Sequence, residues 1–276
     1  MGDFIRVIDF SVYSLGTENI TEADLEALTK ELMHSFTTSG FAYLKNTGIS
    51  QQEVDAMFDV NDKFYDLPAQ IKEKYARADD KNRERQGWAC VERESLSGLS
   101  GVNRPGDLKE YFGIKIPLTD EEVAGFLDMF KHMGTGPNGT NLRSLRYPPV
   151  PEVVKENQLR CAEHTDLGCV TLLFQDRPGL EVSTGDSFVS ATPIPGTVVV
   201  NIGDMLQRWT ADKLVSTQHR VVIPETAEGR GEGRRSIAFF AHADSDVQLK
   251  CLDGSDKYEA MIARDYVKMK LHTTYI

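Results

Sequence analysis

The chain has 276 residues, of which 40 % are hydrophobic and 26 % charged, a composition typical of a soluble globular protein with a substantial core. Its formal net charge of −11 argues against a nucleic-acid partner or an anionic membrane surface, because both need clustered Lys and Arg. The four cysteines form no CxxC pair, and the sequence has neither a secretory signal nor an apolar run of about 18 residues, so we expect a cytoplasmic protein without disulfides.

Short strands and amphipathic helices are predicted to alternate through the front half of the chain. Thr21 is the clearest helix start, because its hydroxyl can cap the first turn and Asp24 follows three residues later. Residues 79–106 are polar and rich in glycine, which is typical of a loop that covers a site. The predicted strands cover residues 5–10, 41–44 and 108–116, and the predicted helices cover residues 21–38, 51–67, 69–80 and 119–133.

The back half of the chain has a different pattern. From residue 142 the sequence consists of short runs rich in β-branched residues, separated by Gly and Pro. Such runs at close spacing predict an antiparallel sandwich or barrel. The clearest predicted strands cover residues 160–176, 197–203, 214–223 and 234–244.

The segment EHTDLG, residues 163–168, places an imidazole and a carboxylate two positions apart. Since side chains alternate faces along a strand, His164 and Asp166 are predicted to share one face. The same alternation predicts Gly168, Val170, Leu172 and Phe174 on that face. Burying a His and an Asp without partners is costly, so the pair indicates a functional role.

His219 is the predicted third member of this group. It lies in the strand at residues 214–223, where it is again a polar residue on an apolar face. Two imidazoles and one carboxylate on one face match the facial triad that binds Fe(II) and leaves coordination positions open. A single buried histidine is more often structural, and only the combination of the three residues favours a metal site.

A second His-x-Asp pattern, His242 and Asp244, lies near the end of the predicted β region. Only His272 follows it among the histidines, in a C-terminal segment that is predicted to be helical. No later strand could therefore supply a third ligand, and we reject this pair as the site.

Arg234 and Ser236 form another pair that shares one strand face. A guanidinium beside a hydroxyl suits a carboxylate, because the fork of the arginine binds both oxygens and the hydroxyl donates to a further lone pair. The alternative is that Arg234 belongs to the solvated charged run EGRGEGRR. Arg235 is predicted to point to the other face, and the two arginines exchange roles if the strand alternation is shifted by one residue.

Motifs along nearly the whole chain occur in the order of one known family. They are VIDFS, GFAYLKNTGIS, KFYDLPAQIKEKY and DLKEYFGI in the front half, and RYPP, HTDLGCVTLLFQD, GLEV, PGTVVVNIGDML, HRV and RSIAFF in the back half. With this order and spacing the sequence resembles the 2-oxoglutarate/Fe(II)-dependent dioxygenases of the isopenicillin N synthase-like group. The resemblance implies a mainly β fold with flanking helices, in which a double-stranded β-helix, or jelly roll, forms the core.

The same resemblance implies three regions. Residues 1–118 are expected to form an N-terminal dioxygenase region whose helices pack on the barrel. Residues 140–246 are expected to form the jelly-roll core that carries Fe(II) and 2-oxoglutarate. Residues 247–276 are expected to form a C-terminal helix or tail.

Roles for individual residues also follow from the resemblance. His164, Asp166 and His219 are expected to bind Fe(II). Arg234, Ser236 and Tyr147, the tyrosine of RYPP, are expected to bind 2-oxoglutarate. The implied reaction consumes O2, releases succinate and CO2, and hydroxylates or desaturates a small organic molecule, with ascorbate as a supporting reductant.

Candidate substrate contacts are Gln86, Trp88, Phe112 and Phe240, although side chains at such positions more often belong to the core or to loops. Nothing in the pattern selects one substrate or an oligomeric state.

The sequence departs from the family pattern in three places. Leu145 stands where many members carry an Asn beside the co-substrate, so that contact is expected to be lost. The connection between His219 and Arg234 is longer than usual. About one helix is missing between residues 122 and 126, and because this helix normally packs on the barrel, its loss bears on stability and activity.

Two alternatives remain open at this point. One is an iron oxidase of the cupin type that uses no 2-oxoglutarate and would not need Arg234 and Ser236. The other is a truncated member of the family that binds metal without turnover, which the missing helix favours and the intact residue pattern disfavours.

Overall fold

The computed structural model describes residues 4–77, 86–97, 104–115 and 139–271. The helix predicted at residues 119–133 and the predicted missing helix lie outside these ranges. The strands are β1 Arg6–Asp9, β2 Phe41–Lys45, β3 Gly87–Ala89, β4 Glu110–Lys115, β5 Asn141–Tyr147, β6 Cys161–His164, β7 Val170–Gln175, β8 Leu180–Ser183, β9 Phe188–Ser190, β10 Thr197–Ile202, β11 His219–Val221, β12 Arg234–Ala241, β13 Gln248–Leu249 and β14 Met261–Ile262. The α-helices are α1 Glu22–Thr38, α2 Gln51–Tyr65, α3 Ala69–Lys72, α4 Asp204–Trp209, α5 Ala227–Gly231 and α6 Ala263–Leu271.

Two sheets build the core of the molecule. One has eight strands in the order β1-β2-β10-β7-β12-β5-β4-β3, and the other has four in the order β6-β11-β8-β9. Val199 and Ala238 of the first sheet pack in one hydrophobic cluster with Val182 and Val221 of the second. This cluster fills the space between the sheets, as the predicted jelly roll requires. Within the described ranges, no helix is long and apolar enough to cross a bilayer.

Strands from the front of the chain extend both edges of the large sheet. Strands β1 and β2 add to one edge beside β10, and β4 and β3 add to the other beside β5. Because β1 and β2 pair in parallel, the chain must cross over between them, and α1 forms that crossover. The Thr21 hydroxyl accepts a bond from the Asp24 amide at 3.2 Å, so the predicted cap of this helix is confirmed.

The helix predicted at residues 69–80 ends early in the structure, at Tyr75, and residues 78–80 lie outside the described ranges. Only Ala69–Lys72 is α-helical, and a single 3-10 turn, Glu73–Tyr75, follows it. The chain then becomes extended at Ala76, which bridges to Trp88. Helical propensity is overridden here because the segment pairs with β3, a strand that the predicted loop at residues 79–106 did not include.

The single strand predicted at residues 160–176 is in fact two strands of different sheets, β6 and β7. The turn between them changes the phase of the alternation. Leu173 packs into the cluster between the sheets, whereas Val170, Leu172 and Phe174 pack against the outer cluster that α1 covers. The prediction that these three residues share a face with the His and Asp was therefore wrong.

Candidate metal centre

Three side chains converge at one end of the space between the sheets. His164 ends β6 and His219 begins β11, and the two residues are direct partners in the antiparallel register. Asp166 lies in the turn after β6, and its Oδ1 is 3.8 Å from Nε2 of each histidine. His164, Asp166 and His219 are also the one group of potential metal ligands found within the described residues. Their donor atoms all lie within 4.8 Å of one another, which suits one metal ion.

Backbone carbonyls orient both imidazoles. His164 Nδ1 lies 2.8 Å from the Ala162 carbonyl oxygen, and His219 Nδ1 lies 3.1 Å from that of Thr217. A carbonyl can only accept, so each Nδ1 carries the proton and donates it. In a neutral imidazole with its proton on Nδ1, Nε2 has a free lone pair, and this is the tautomer that a metal requires.

The two carboxylate oxygens of Asp166 have different surroundings. Its Oδ2 accepts bonds from the Thr171 hydroxyl at 2.6 Å and from the Asn201 side-chain amide at 2.8 Å. Burial acts to raise the pKa of Asp166, but the positive charge that the imidazoles carry when protonated and these two bonds outweigh it and hold the pKa below its ordinary value. The carboxylate is therefore charged, with Oδ1 left facing the histidines.

Burial also keeps His219 neutral. It lowers the pKa of this imidazole to about 4, and the neighbouring His164 adds to the effect. The rings of the two histidines lie 4.3 Å apart, and the Phe41 ring meets His219 edge-on at 5.4 Å. A neutral imidazole is the form that can donate a lone pair to a cation.

The turn that carries Asp166 is held by the start of α4. The amides of Asp204 and Met205 donate to the carbonyls of Asp166 and Gly168, at 2.7 and 3.0 Å. A Cβ at Gly203 would lie 2.3 Å from the Gly168 carbonyl oxygen, so the close approach requires glycine at this position. The NIGD segment thus fixes the position of a carboxylate that comes from a much earlier part of the chain.

Arg234 and Ser236 lie on the inward face of β12, as predicted, and both are almost completely buried. Arg234 donates from Nε to the Arg177 carbonyl and from Nη2 to the Gln175 side-chain oxygen. Its Nη1 is buried and has no hydrogen-bond partner among the described residues. A buried guanidinium nitrogen without a partner is costly, so this atom indicates a ligand that accepts from it.

Tyr147 and Leu145 face this pair from the neighbouring strand. In the register of β5 with β12, Tyr147 lies opposite Arg234 and Leu145 opposite Ser236. The Arg234 guanidinium lies 4.9 Å from the centre of the Tyr147 ring. Burial raises the pKa of Tyr147, so its phenol remains a protonated hydrogen-bond donor.

Arg235 points to the opposite face of β12, again as predicted. Its guanidinium pairs with Asp62 on α2 and with Asp176, at 2.6 and 2.9 Å. The two consecutive arginines therefore differ in role: Arg234 is directed inward, whereas Arg235 pairs with α2 on the outer face of the sheet.

Two family models match the chain. The model described as the 2OG-Fe(II) oxygenase superfamily matches residues 139–243, and the one described as non-haem dioxygenase in morphine synthesis N-terminal matches residues 5–132. A 2-oxoglutarate-Fe(II) type oxidoreductase, ppzD of Metarhizium rileyi, is 30 % identical, with 98 % of this chain and 91 % of the relative covered. The chain belongs to the 2-oxoglutarate–Fe(II) oxygenase superfamily. It is an Fe(II)- and 2-oxoglutarate-dependent dioxygenase, an oxidoreductase.

Solved structures agree with this assignment. A full-length protein of Neurospora crassa, solved in complex with alpha-KG, superposes with a TM-score of 0.79 at 28 % identity, covering 97 % of this chain and 96 % of that chain. A 2OG-Fe(II) oxygenase family protein from Caulobacter crescentus superposes with a TM-score of 0.76 at 28 % identity, covering 97 % and 98 %. The alignment with the Metarhizium rileyi relative extends over 328 residues, more than the 276 of this oxygenase, so the relative has segments that this chain lacks.

The predicted substrate contacts of the oxygenase separate into two groups. Phe240 lies on the inward face of β12, opposite Thr171, and packs against the cluster between the sheets. The Trp88 indole instead donates to Glu110, and the Phe112 ring meets Phe64 of α2 at 4.8 Å. Trp88 and Phe112 thus face the helices rather than the centre, and Gln86 is exposed.

The sequence pattern did not predict roles for several polar residues on the inner side of the sheets. Thr171 and Asn201 each have apolar residues on both sides in their strands, and this contrast could have marked them as inward-facing. Arg160 is 2 % exposed and donates to the Glu232 carbonyl oxygen at 2.7 Å. Burial and the nearby charge of Arg234 lower its pKa, which shows that two guanidiniums lie close together at this end of the oxygenase.

The rejected pair, His242 and Asp244, belongs to no ligand group among the described residues of the oxygenase. His242 follows the end of β12 and is 2 % exposed. A Cβ at Gly139 or Gly168 would lie within 3.3 Å of its ring, so the imidazole fills a tight gap between two glycines.

Proposed function

We propose that His164, Asp166 and His219 bind Fe(II), and that Arg234, Ser236 and Tyr147 bind the far carboxylate of 2-oxoglutarate. The convergence of two histidine Nε2 atoms on one oxygen of Asp166 carries the first assignment. Two imidazole nitrogens and one carboxylate in this arrangement fit Fe(II), which accepts such a set and keeps open positions for other ligands.

In each of the three side chains, hydrogen bonds from the protein hold the polar atom that does not face the ion. Carbonyl oxygens hold both Nδ1–H groups, and Thr171 and Asn201 hold Asp166 Oδ2. These bonds fix the direction of the lone pairs before the ion arrives, so binding costs little rearrangement. When bound, Fe(II) and 2-oxoglutarate supply the oxidative chemistry, which consumes O2 and releases succinate and CO2.

The assignment of 2-oxoglutarate to Arg234 rests on its buried Nη1. Gln175 and the Arg177 carbonyl fix the plane of the guanidinium and leave Nη1 for an incoming oxygen. A carboxylate bound there would receive a charge-assisted bond, and the hydroxyls of Ser236 and Tyr147 lie on the same inward face. Leu145, in the position of the usual Asn, adds only apolar surface.

The substrate is proposed to be a small organic molecule that is hydroxylated or desaturated. The Neurospora crassa protein, which is similar over nearly the whole chain, has been solved with thymine and with 5-formyluracil. Phe240 is the predicted substrate contact that lies on the inward face next to Thr171, and we retain it. Gln86, Trp88 and Phe112 are not retained.

The family assignment favours turnover over the second candidate, a metal-binding protein without turnover, which the additional segments of the longer relative suggest. Succinate formation from 2-oxoglutarate with Fe(II), O2 and ascorbate decides between the two. The wild type should form succinate, and His219→Ala should abolish it. His34→Ala, on the exposed side of α1, is the matched control and should keep full activity.

Three results would count against the proposal. Full activity of His219→Ala would refute the assignment of the metal ligands. Turnover without 2-oxoglutarate would favour an oxidase that needs no oxoacid. A folded protein that binds Fe(II) but forms no succinate with any compound tested would favour the truncated, inactive member.

A further inference from the structure

Arg160 is a buried cation that the proposed mechanism does not use. It directly precedes β6, and its side chain is 2 % exposed. Its Nη2 donates to the carbonyl oxygens of Glu232 at 2.7 Å and of Pro148 at 3.4 Å. Because burying a guanidinium is costly, its presence at this position calls for a reason beyond packing.

The two carbonyls belong to the chain ends that carry predicted 2-oxoglutarate contacts. Pro148 directly follows Tyr147 at the end of β5, and Glu232 lies two residues before Arg234 at the start of β12. Tyr147 and Arg234 are also direct partners in the register of these two strands. Arg160, at the start of a strand of the small sheet, therefore holds both chain ends at one end of the large sheet.

The guanidiniums of Arg160 and Arg234 lie near each other, and their hydrogen-bond partners are neutral. Burial lowers the pKa of Arg160 most, and the charge of Arg234 lowers it further, because two neighbouring cations repel each other. Arg160 donates to two backbone carbonyls, and Arg234 donates to the Arg177 carbonyl and to the Gln175 side-chain oxygen. Within the described ranges, the hydrogen bonds of both guanidiniums thus go to uncharged oxygens.

The carboxylates beside this pair of arginines have other partners. Asp176 attracts Arg160, but its two oxygens accept from the amide and the guanidinium of Arg235 at 2.7 and 2.9 Å. The Glu232 carboxylate is half-exposed and pairs with Arg177. The repulsion between the two buried cations is therefore offset only in part by the described side chains.

A carboxylate bound at Arg234 relieves this repulsion. An oxygen that accepts from the buried Nη1 of Arg234 brings a negative charge close to both guanidiniums. An oxoacid that ends in a methyl group brings no such charge and leaves the repulsion in place. The two arginines together thus favour dicarboxylic over monocarboxylic oxoacids.

We propose that Arg160 is a positioning residue that sets the preference of this oxygenase for a dicarboxylic oxoacid, because it holds the chain ends that carry Tyr147 and Arg234 and adds its charge to that of Arg234. Arg160 acts through Arg234 and needs no contact with the ligand. This inference rests on the proposed function, since it takes the far carboxylate of 2-oxoglutarate to lie at Arg234.

The test compares two oxoacids that differ at one end. 2-Oxovalerate has the same carbon chain as 2-oxoglutarate but ends in a methyl group instead of the far carboxylate. The dissociation constant of each is measured by calorimetry on the protein loaded with Fe(II) without O2, and the ratio of the two constants gives the preference. Succinate formation from 2-oxoglutarate is measured separately in air with ascorbate.

Arg160→Gln should weaken the binding of 2-oxoglutarate about 10-fold, as expected for the loss of a unit charge several ångströms away at an effective dielectric constant of about 20. The binding of 2-oxovalerate should change by less than about twofold, because this oxoacid brings no charge to the two arginines. Arg160→Lys keeps the positive charge and should keep most of the preference. Arg208→Gln is the matched control, because Arg208 likewise donates to a backbone carbonyl, that of Glu259, at 2.6 Å, and it should leave the preference unchanged.

Arg160→Met serves if Arg160→Gln does not fold, and the same shifts are expected of it. Since the partners of Arg160 among the described residues are carbonyls, this variant leaves no buried carboxylate without its cation, and the flexible apolar side chain fills the space.

Equal weakening of both oxoacids would show that Arg160 only supports the fold, and unchanged binding of 2-oxoglutarate would show that it has no role in the site. Either result overturns the inference, and so does a preference that Arg160→Lys loses as fully as Arg160→Gln. If the wild type still forms succinate and prefers 2-oxoglutarate in these cases, the proposed function stands and this inference alone fails. A wild type that binds both oxoacids equally would instead refute the carboxylate site at Arg234, and with it that part of the proposed function.

Discussion

The hydroxyl of Thr171 is expected to contribute to metal affinity without touching the metal. It donates to Asp166 Oδ2 at 2.6 Å from a residue that is 4 % exposed. Thr171→Val replaces this hydroxyl with a methyl group of nearly the same shape, so packing on the strand is kept while one donor to the carboxylate is lost. The Asn201 bond at 2.8 Å remains and keeps the carboxylate in place.

The magnitude follows from the kind of bond that is lost. A hydrogen bond to a charged group contributes about 1.5–3 kcal/mol. Loss of an outer-shell partner typically reduces metal affinity by about 10- to 100-fold, which is the same range of free energy. Because Asn201 still donates to the same oxygen, we expect the lower half of this range for Thr171→Val.

The assay is an anaerobic titration with Fe(II), or with Co(II) as a visible probe, in competition with a chelator. Thr197→Val on β10 is the matched control, since its hydroxyl donates to the Ile194 carbonyl at 2.8 Å, away from the centre. This control should bind metal as the wild type does. Wild-type affinity in Thr171→Val, or an equal loss in both variants, would refute the role assigned to Thr171.

Three further predictions concern 2-oxoglutarate, stability and pH. Arg234→Lys should raise the KM for 2-oxoglutarate about 10- to 100-fold with little change in metal affinity, because lysine cannot bond Gln175 and a carboxylate in one plane. Arg235→Lys, on the outer face, should change neither quantity. Equal effects of the two substitutions would contradict the assignment of Arg234 to the inner face. Lys109→Met should lower the free energy of unfolding by about 3–5 kcal/mol, because it leaves buried carboxylates without their cation. The control Lys45→Met, at an exposed ion pair, should lower it by at most about 1 kcal/mol. Both values are measured by urea titration. Glu163 has a pKa below its ordinary value of 4.5, because hydrogen bonds and nearby positive charges outweigh the effect of burial. Glu163→Gln should therefore be less stable than the wild type at pH 7, and the difference in stability should shrink as the pH falls below about 4.5. A difference independent of pH would show that the charge of Glu163 contributes nothing.

The residues of the candidate centre could be identified from their chemical type and spacing. His164, Asp166 and His219 meet as expected, and the inward and outward directions of Arg234 and Arg235 follow from strand alternation. The reason given for Asp166 was nevertheless wrong. The strand ends at His164, and Asp166 reaches the site from a turn that α4 holds.

Contacts between distant strands could not be predicted in the same way. Whether Trp88 and Phe112 face inward depends on the register of two strands and on where α2 packs, and no local pattern contains that information. The pairing of Glu94 with Lys109 and Arg143 likewise brings a loop and two strands together across the barrel. Charged residues in the sequence look alike whether they end up buried or solvated, because burial is decided by tertiary packing.

The register between β12 and β5 sets which side chains of the two strands face the interior together. In the pairing of β12 with β5, Arg234 lies opposite Tyr147, and Arg143 lies opposite Ala238. The backbone positions of Arg234 and Arg143 are therefore about 13 Å apart along the strands, at roughly 3.3 Å per residue, and both side chains face inward. A slip of one residue would turn Tyr147 and Arg143 outward together, removing a proposed 2-oxoglutarate contact and the buried ion pair of Arg143 with Glu94 at once. The bonds that fix this register, from the Tyr65 hydroxyl to Ser144 and from Arg146 to Asp66, come from α2 and the turn after it on the outer face. Packing of the N-terminal helices on the sheet thus supports the proposed 2-oxoglutarate site, even though none of the residues proposed to bind iron or 2-oxoglutarate lies on those helices.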